Sequence, residues 1–285
     1  MMNMRVKAAA LAVALTLVSI SPSYAAGKDT VPANELIVPG KLFVCADVPV
    51  PPYILFTDSG DYDGIDVALT SEIARRLGLK SQIVNTVFDT IIASAKGGKC
   101  DIIAGAMNIT SEREKVITQI PYAQDGLSYA VRKGNPKSIK TKTDLCGARL
   151  ATQTSTTGTN IIEGSGDFQG KGLYQLCKAA GKPDPVMQQY NKAPDVLMSV
   201  ASGQSDASLI DTSITSVFVH EHPTMLESSA IGGLEPSPQG LGVTFDHPGL
   251  ANAVRKVLAD IVEDGTYDRI FKKYNYVEGS LLTKK

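Results

Sequence analysis

Residues Gly97 to Arg113 read GGKCDIIAGAMNITSER, which sets an arginine just beyond a short apolar strand and a turn of small residues. The pattern suits the capture of a carboxylate. Asp101 to Ala104 is short, mostly apolar and bounded, as a buried parallel strand should be. Gly105 and Ala106 let backbone N–H groups come close to a ligand, and Ser111, three residues before Glu114, reads as a capping box that opens a helix. Arg113 then lies in the first turn of that helix, where a cation opposes the helix dipole, so local stability does not account for it. A bidentate bond to a ligand carboxylate does. Asp211, which follows the apolar run Ala207 to Ile210, supplies the opposite charge. The pair matches a zwitterion such as an α-amino acid, at about 1.5 to 3 kcal/mol for each charge-assisted bond. Capping of the helix that follows is the other reading of Asp211.

Further polar residues stand beyond other strand ends. Thr156 and Thr157 open a predicted helix, so their N–H groups and hydroxyls join Arg113 at the carboxylate or simply cap the helix. Phe88 and Tyr53 offer apolar walls for a ligand side chain or belong to the core, in a chain that is only 6% aromatic. Asp47 pairs with a polar or cationic side chain, or accepts a turn hydrogen bond ahead of Pro49. His220-Glu221-His222 has two metal-type ligands but no companions, and reads as a solvated helix end. The sequence has no Gly-x-Ser-x-Gly element and no phosphate loop, so nucleophilic hydrolysis and nucleotide chemistry are not indicated, and no metal or cofactor is expected.

The elements that must position these groups alternate between strand and helix. A strand over Leu42 to Ala46, a helix capped by Asp66 and ending at Leu77, a strand over Ser81 to Val84, a helix from Asp89 to Gly97 and the strand at Asp101 make a βαβαβ unit. A second unit has strands at Ala148 to Thr152, Val186 to Gln189 and Asp206 to Ile210. A third section, Gly240 to Phe245 with helices at Gly249 to Glu263 and Thr266 to Tyr274, has no such unit and is expected to complete the first lobe. The backbone then crosses between lobes twice, near Asp125-Gly126 and near Gly233 to Gln239, and two crossovers make a hinge. The expected organisation is a signal peptide over 1–25, a first lobe over 26–125, a second over 126–233, and a return segment with tail over 234–285.

Arg5 and Lys7 precede an apolar run and a small-residue cleavage site, so export is expected, with the mature chain starting at Ala26. Removal of that segment leaves 26 Lys+Arg against 29 Asp+Glu, which offers no nucleic-acid footprint. In an oxidising compartment four cysteines suggest two disulfides, with three connectivities open. Cys146 and Cys177 fall within one lobe, where a bond adds about 3 to 4 kcal/mol on the chain-entropy model; Cys45 and Cys100 remain, on strands that can be neighbours.

Taken together, the chain resembles the polar-amino-acid family of periplasmic solute-binding proteins. The resemblance runs from about Gly40 to Tyr274 and rests on CADVPVPPY at 45 to 53, GIDV at 64 to 67, the Gly98 to Arg113 run, QTSTTG at 153 to 158, GQSDA at 203 to 207 with Asp211, and EDGTYD at 263 to 268. It implies an α/β, two-lobed, type II periplasmic-binding fold that closes over an amino acid and presents it to an inner-membrane ABC permease and its ATPase, acting as a monomer in the periplasm. By the resemblance Arg113 binds the α-carboxylate and Asp211 the α-ammonium, with Gly105, Asn108, Thr156 and Thr157 as hydrogen-bonding neighbours. Phe88 and Val50 flank the side chain and Asp47 faces its polar end. Val50 stands where the family usually has an aromatic, and Asn108 where Ser or Thr is commoner; an acid at 47 without the second aromatic favours a ligand with a polar or cationic side chain, an amide or a cationic aliphatic one, over a flat aromatic one. The resemblance supports the Cys146–Cys177 bond. The competing reading is an exported dehydratase of the same fold, acting on prephenate- or arogenate-like acids through a cleft carboxyl.

Overall fold

In a computed structural model, which describes residues 31–282, the chain builds two five-stranded sheets. The predicted signal segment lies outside the described residues. The first sheet orders its strands as Lys80–Asn85, Lys41–Ala46, Ile102–Ile103, Ser237–Val243 and Thr118–Asp125. Its first three strands are parallel, as the βαβαβ reading requires; Ser237–Val243 runs against them, and Thr118–Asp125, antiparallel to that strand, restores their direction. The second sheet runs Val186–Tyr190, Arg149–Gln153, Ala207–Ser208, Ala130–Arg132 and Leu226–Ser228. The third section of the chain thus returns to the first sheet, where Ser237–Val243 pairs along the whole of Thr118–Asp125.

Helical periodicity explains which faces are covered. Helix Ile65–Arg76 buries Ile65, Leu69 and Ile73 at four-residue spacing, and helix Pro248–Glu263 buries Leu250, Val254, Val257, Leu258 and Ile261. Helix Thr266–Lys273 seats Tyr267 and Phe271 against them, and the Tyr267 hydroxyl donates to Tyr122 O at 2.6 Å. Strand Lys41–Ala46 is covered on both faces, which is why its sequence is a run rather than an alternation. Both disulfides form: Cys45–Cys100 ties neighbouring parts of the first sheet with Cα atoms 5.6 Å apart, and Cys146–Cys177 staples a loop of the second lobe at 5.5 Å.

Two segments pass between the sheets, one through Asp125-Gly126-Leu127 and one ending at Ser237. They lie side by side: Leu234 N donates to Leu127 O at 2.7 Å, and Ser237 pairs with Asp125. A Cβ on Gly126 would meet Leu234 O at 2.3 Å, so glycine is required where the strands touch. Two sequence expectations about caps need correction. The short helix Ser111–Glu114 is capped by Thr110, whose hydroxyl accepts from Arg113 N at 3.3 Å, rather than by Ser111. Helix Ile65–Arg76 is entered from Gly64, and Asp66 does not cap it, because its carboxylate is used elsewhere.

Candidate functional site

The carboxyl ends of the strands in both sheets converge on a small cavity of about 20 Å³. Val50, Phe88, Gly105, Ala106, Asn108 and Arg113 line it from the first sheet's side, and Gln153, Thr156, Thr157, Asp211 and Ile214 from the second. Direct bonds close the lobes over it. Asn108 Nδ2 donates to Thr157 Oγ1 at 3.2 Å, Arg113 Nη2 to Ser155 O at 3.1 Å, Ser111 N to Asp167 at 3.1 Å, and Ser155 Oγ to Asp89.

Arg113 is fixed from three sides. Its Nη1 donates to Asn108 O at 2.8 Å, and its guanidinium lies 5.1 Å from the centre of the Phe88 ring, a cation–π arrangement that holds its plane. Burial lowers its pKa to about 10, so it keeps its charge at neutral pH. Asp211 occupies the N-cap position of helix Thr212–Glu221, yet makes no cap bond. Its Oδ1 is buried without a hydrogen-bond partner among the described residues. The capping reading of this residue therefore fails, and a buried acceptor without a donor, a costly arrangement, is left at the cavity. Burial pushes the Asp211 pKa to about 8, and the nearby Asp125 adds to the shift, while Arg113 opposes it. Asp125 is itself raised by burial, though Ser213 Oγ donates to it at 2.6 Å and Gly126 N at 2.8 Å.

The turn between strand Ile102–Ile103 and Arg113 is held from behind. Gly105 takes a φ of +104°, and the next residue, Ala106, sits at +56°, a conformation that side-chain-bearing residues adopt at a cost. Asp66 Oδ2 accepts from Gly105 N at 2.6 Å, and Ala106 N donates to the Tyr122 hydroxyl at 3.4 Å. Their N–H groups therefore face the protein interior, which corrects the expectation that they approach a ligand. Gly105 lines the cavity with its backbone alone. Asp66 is fully buried, and desolvation raises its pKa to about 6 despite these bonds. Asp66→Ala should destabilise the protein by about 3 kcal/mol, because it orphans the Gly105 N–H and frees a strained turn. Urea unfolding of the variant checks this, and an unchanged midpoint would remove the positioning role of Asp66.

Other expected site residues are distributed unevenly. Val50, Phe88, Asn108, Thr156, Thr157, Arg113 and Asp211 come together around the cavity. Thr156 Oγ1 donates to Gln153 O at 2.7 Å and makes no cap bond. Tyr53 does not line the cavity. It is fully buried, with its ring edge-on to Tyr122 and Tyr276 at centroid distances of 6.5 and 5.7 Å, so the second apolar wall is Val50. Asp47 is also set back. It is 1% exposed, accepts from Gln153 Nε2 at 2.6 Å and forms an ion pair with Lys192. Neither Gln153 nor Lys192 was singled out from the sequence. Gln153 could have been found by its place at the end of strand Arg149–Gln153; a lone lysine ahead of a helix carries no signal. Among the described residues no group of His, Cys, Asp and Glu is arranged to hold a metal ion.

Comparison with known proteins bears on the family and the fold. A family model described as bacterial extracellular solute-binding proteins, family 3, matches residues 42–277. The L-cystine-binding protein TcyJ of Escherichia coli (strain K12) is 26% identical over 244 residues, which is 85% of this chain and 85% of that protein. Among solved structures, an ancestral arginine-binding protein bound to arginine superposes with a TM-score of 0.72 at 28% identity, covering 82% of this chain and 98% of that one. The ancestral amino acid-binding protein AncCDT-1, a precursor of cyclohexadienyl dehydratase, gives 0.69 at 27% identity, covering 82% and 95%.

Proposed function

The chain belongs to family 3 of the bacterial extracellular solute-binding proteins, and from that premise we propose that it captures a free α-amino acid between its two lobes and hands it to an ABC importer. The observation that carries this reading is the buried, unpartnered Oδ1 of Asp211 in the same cavity as the Arg113 guanidinium. An α-ammonium supplies the missing donor, and an α-carboxylate suits the planar fork of the arginine. The Asn108 amide and the Thr157 hydroxyl offer further donors at the carboxylate end, and Thr156, whose hydroxyl is given to Gln153 O, offers its backbone N–H. Phe88 and Val50 flank the side chain.

Capture needs no chemistry. A ligand that bonds Arg113 from one lobe and Asp211 from the other has higher affinity for the closed form, and that difference drives closure about the paired segments at Gly126 and Leu234. We read the protein as a non-catalytic, monomeric periplasmic component whose partners are an inner-membrane permease and its ATPase. The site residues named above and the lobe boundaries at about 125 and 233 are part of the same proposal.

A melting-temperature screen of the mature protein, washed free of carried-over ligand, tests it against the standard amino acids, ornithine, citrulline and prephenate. A ligand at 100 times its Kd stabilises by about 2.7 kcal/mol, which moves the melt by several degrees. A response to one or a few amino acids is expected. Silence from every amino acid, with a response to prephenate and formation of an aromatic product, would put the dehydratase reading first.

A further inference from the structure

Lys192 precedes helix Ala193–Ala201 in the second lobe and reaches the first. Its ammonium pairs with Asp47 Oδ1 and also donates to Val48 O at 3.2 Å and Asn85 Oδ1 at 3.4 Å. The other oxygen of Asp47 takes the amide of Gln153, which donates its second hydrogen to Asn191 O at 3.1 Å. Both oxygens of this buried acid are therefore filled, and its charge is cancelled by the chain's own cation. Apart from Arg113 and Asp211, every residue that lines the cavity is uncharged, Phe88, Val50, Ala106, Ile214 and Gln153 among them. The charged residues that line the cavity, Arg113 and Asp211, match the two head-group charges of an amino acid and leave no surplus. A third ligand charge of either sign would enter a site of low dielectric constant without a partner.

We infer that Lys192 sets the side-chain selectivity of the site: it supplies the cation that Asp47 would otherwise draw from a ligand, so the protein takes α-amino acids with uncharged side chains. This deepens the amino-acid reading and rests on it, and it replaces the expectation from the sequence that Asp47 favours a cationic side chain, since that acid is already paired. Arginine, lysine and ornithine are disfavoured because no free carboxylate is left for their terminal cation: Asp47, which touches the cavity only through Gln153, is already paired with Lys192. Aspartate and glutamate are disfavoured because Lys192 is already paired.

Calorimetric titration of the mature protein and of Lys192→Met with alanine, serine, glutamine, leucine, arginine, lysine, ornithine and glutamate tests the inference. Methionine keeps the aliphatic stem and removes the charge. In the wild type, at least one neutral amino acid should bind tenfold or more tighter than any charged one. In Lys192→Met, the ratio of cationic to neutral affinity should rise at least tenfold, because the Asp47 charge is released. A variant that merely loosened the lobe contact would weaken all ligands alike and leave that ratio where it was. Tighter wild-type binding of a cationic amino acid, or an unmoved ratio in Lys192→Met, overturns the role of Lys192 and leaves the amino-acid reading standing. Binding of no amino acid at all, with binding of prephenate, overturns both.

Discussion

Arg113→Ala is expected to weaken amino-acid binding by about 10²- to 10³-fold while the fold survives. Truncation of one partner of a buried, hydrogen-bonded charge pair costs about 2 to 5 kcal/mol, and here the partner left behind is the ligand carboxylate. The unliganded protein should tolerate the change. Among the described residues the side-chain hydrogen bonds of Arg113 go to backbone carbonyls, those of Asn108 and Ser155, and its burial already disfavours the charged form. Arg113→Lys keeps the charge but loses the planar fork, so it should fall between the two. Titration calorimetry and thermal melting of the three proteins check this. Unchanged affinity in Arg113→Ala would remove the carboxylate role of the residue.

Asp211→Asn should produce the second large effect and a distinctive pH signature. With its pKa raised to about 8 by burial and by Asp125, the carboxyl is mostly protonated in the free protein at pH 7. Pairing with an α-ammonium needs the carboxylate, so binding releases a proton and wild-type affinity rises about tenfold per pH unit as pH climbs from about 6 towards 8. Above that range the ligand's own amine begins to lose its proton. Asp211→Asn removes the ion pair, weakens binding by a further factor of about 10² at pH 8, and flattens the slope. The groups around the acid fit this sign: Arg113 favours the charged form, whereas Asp125 opposes it. For the unliganded fold the sign is the opposite. An aspartate that keeps its proton to about pH 8 when folded, but loses it near 4 when unfolded, costs stability as pH rises through that window. Asp211→Asn should therefore melt higher than the wild type at pH 8 in the absence of ligand. Calorimetry in buffers of different ionisation enthalpy measures the released proton; a pH-independent affinity would contradict the assignment.

How far the sequence reached depended on whether a residue's role is local. Arg113 could be read because a cation in the first turn of a helix conflicts with that helix, and conflict within a few residues is visible in one dimension. The parallel strands were visible as bounded apolar runs, and the return of the third section followed from its lack of a βαβ unit. Asp66 failed as a cap because its carboxylate serves Gly105, 39 residues on. Asp47 looked like a free acid because its counter-ion comes 145 residues later from the other lobe. Tyr53 shows a third kind of limit: an aromatic in a proline-rich turn can face a ligand or a core, and only packing against Tyr122 and Tyr276 decides. Thr110 and Ser111 differ by one position and carry the same group, so the cap could not be assigned from type alone.

The most direct test of the two-charge site compares an amino acid that the protein binds with two of its own analogues, the amine lacking the carboxylate and the acid lacking the α-amino group. By titration calorimetry at pH 8, each analogue should bind at least 100-fold more weakly than the parent, since each leaves Arg113 or Asp211 buried without its partner. Binding of either analogue as tightly as the parent would contradict the account, because one of the two charges would then have no part in holding the ligand.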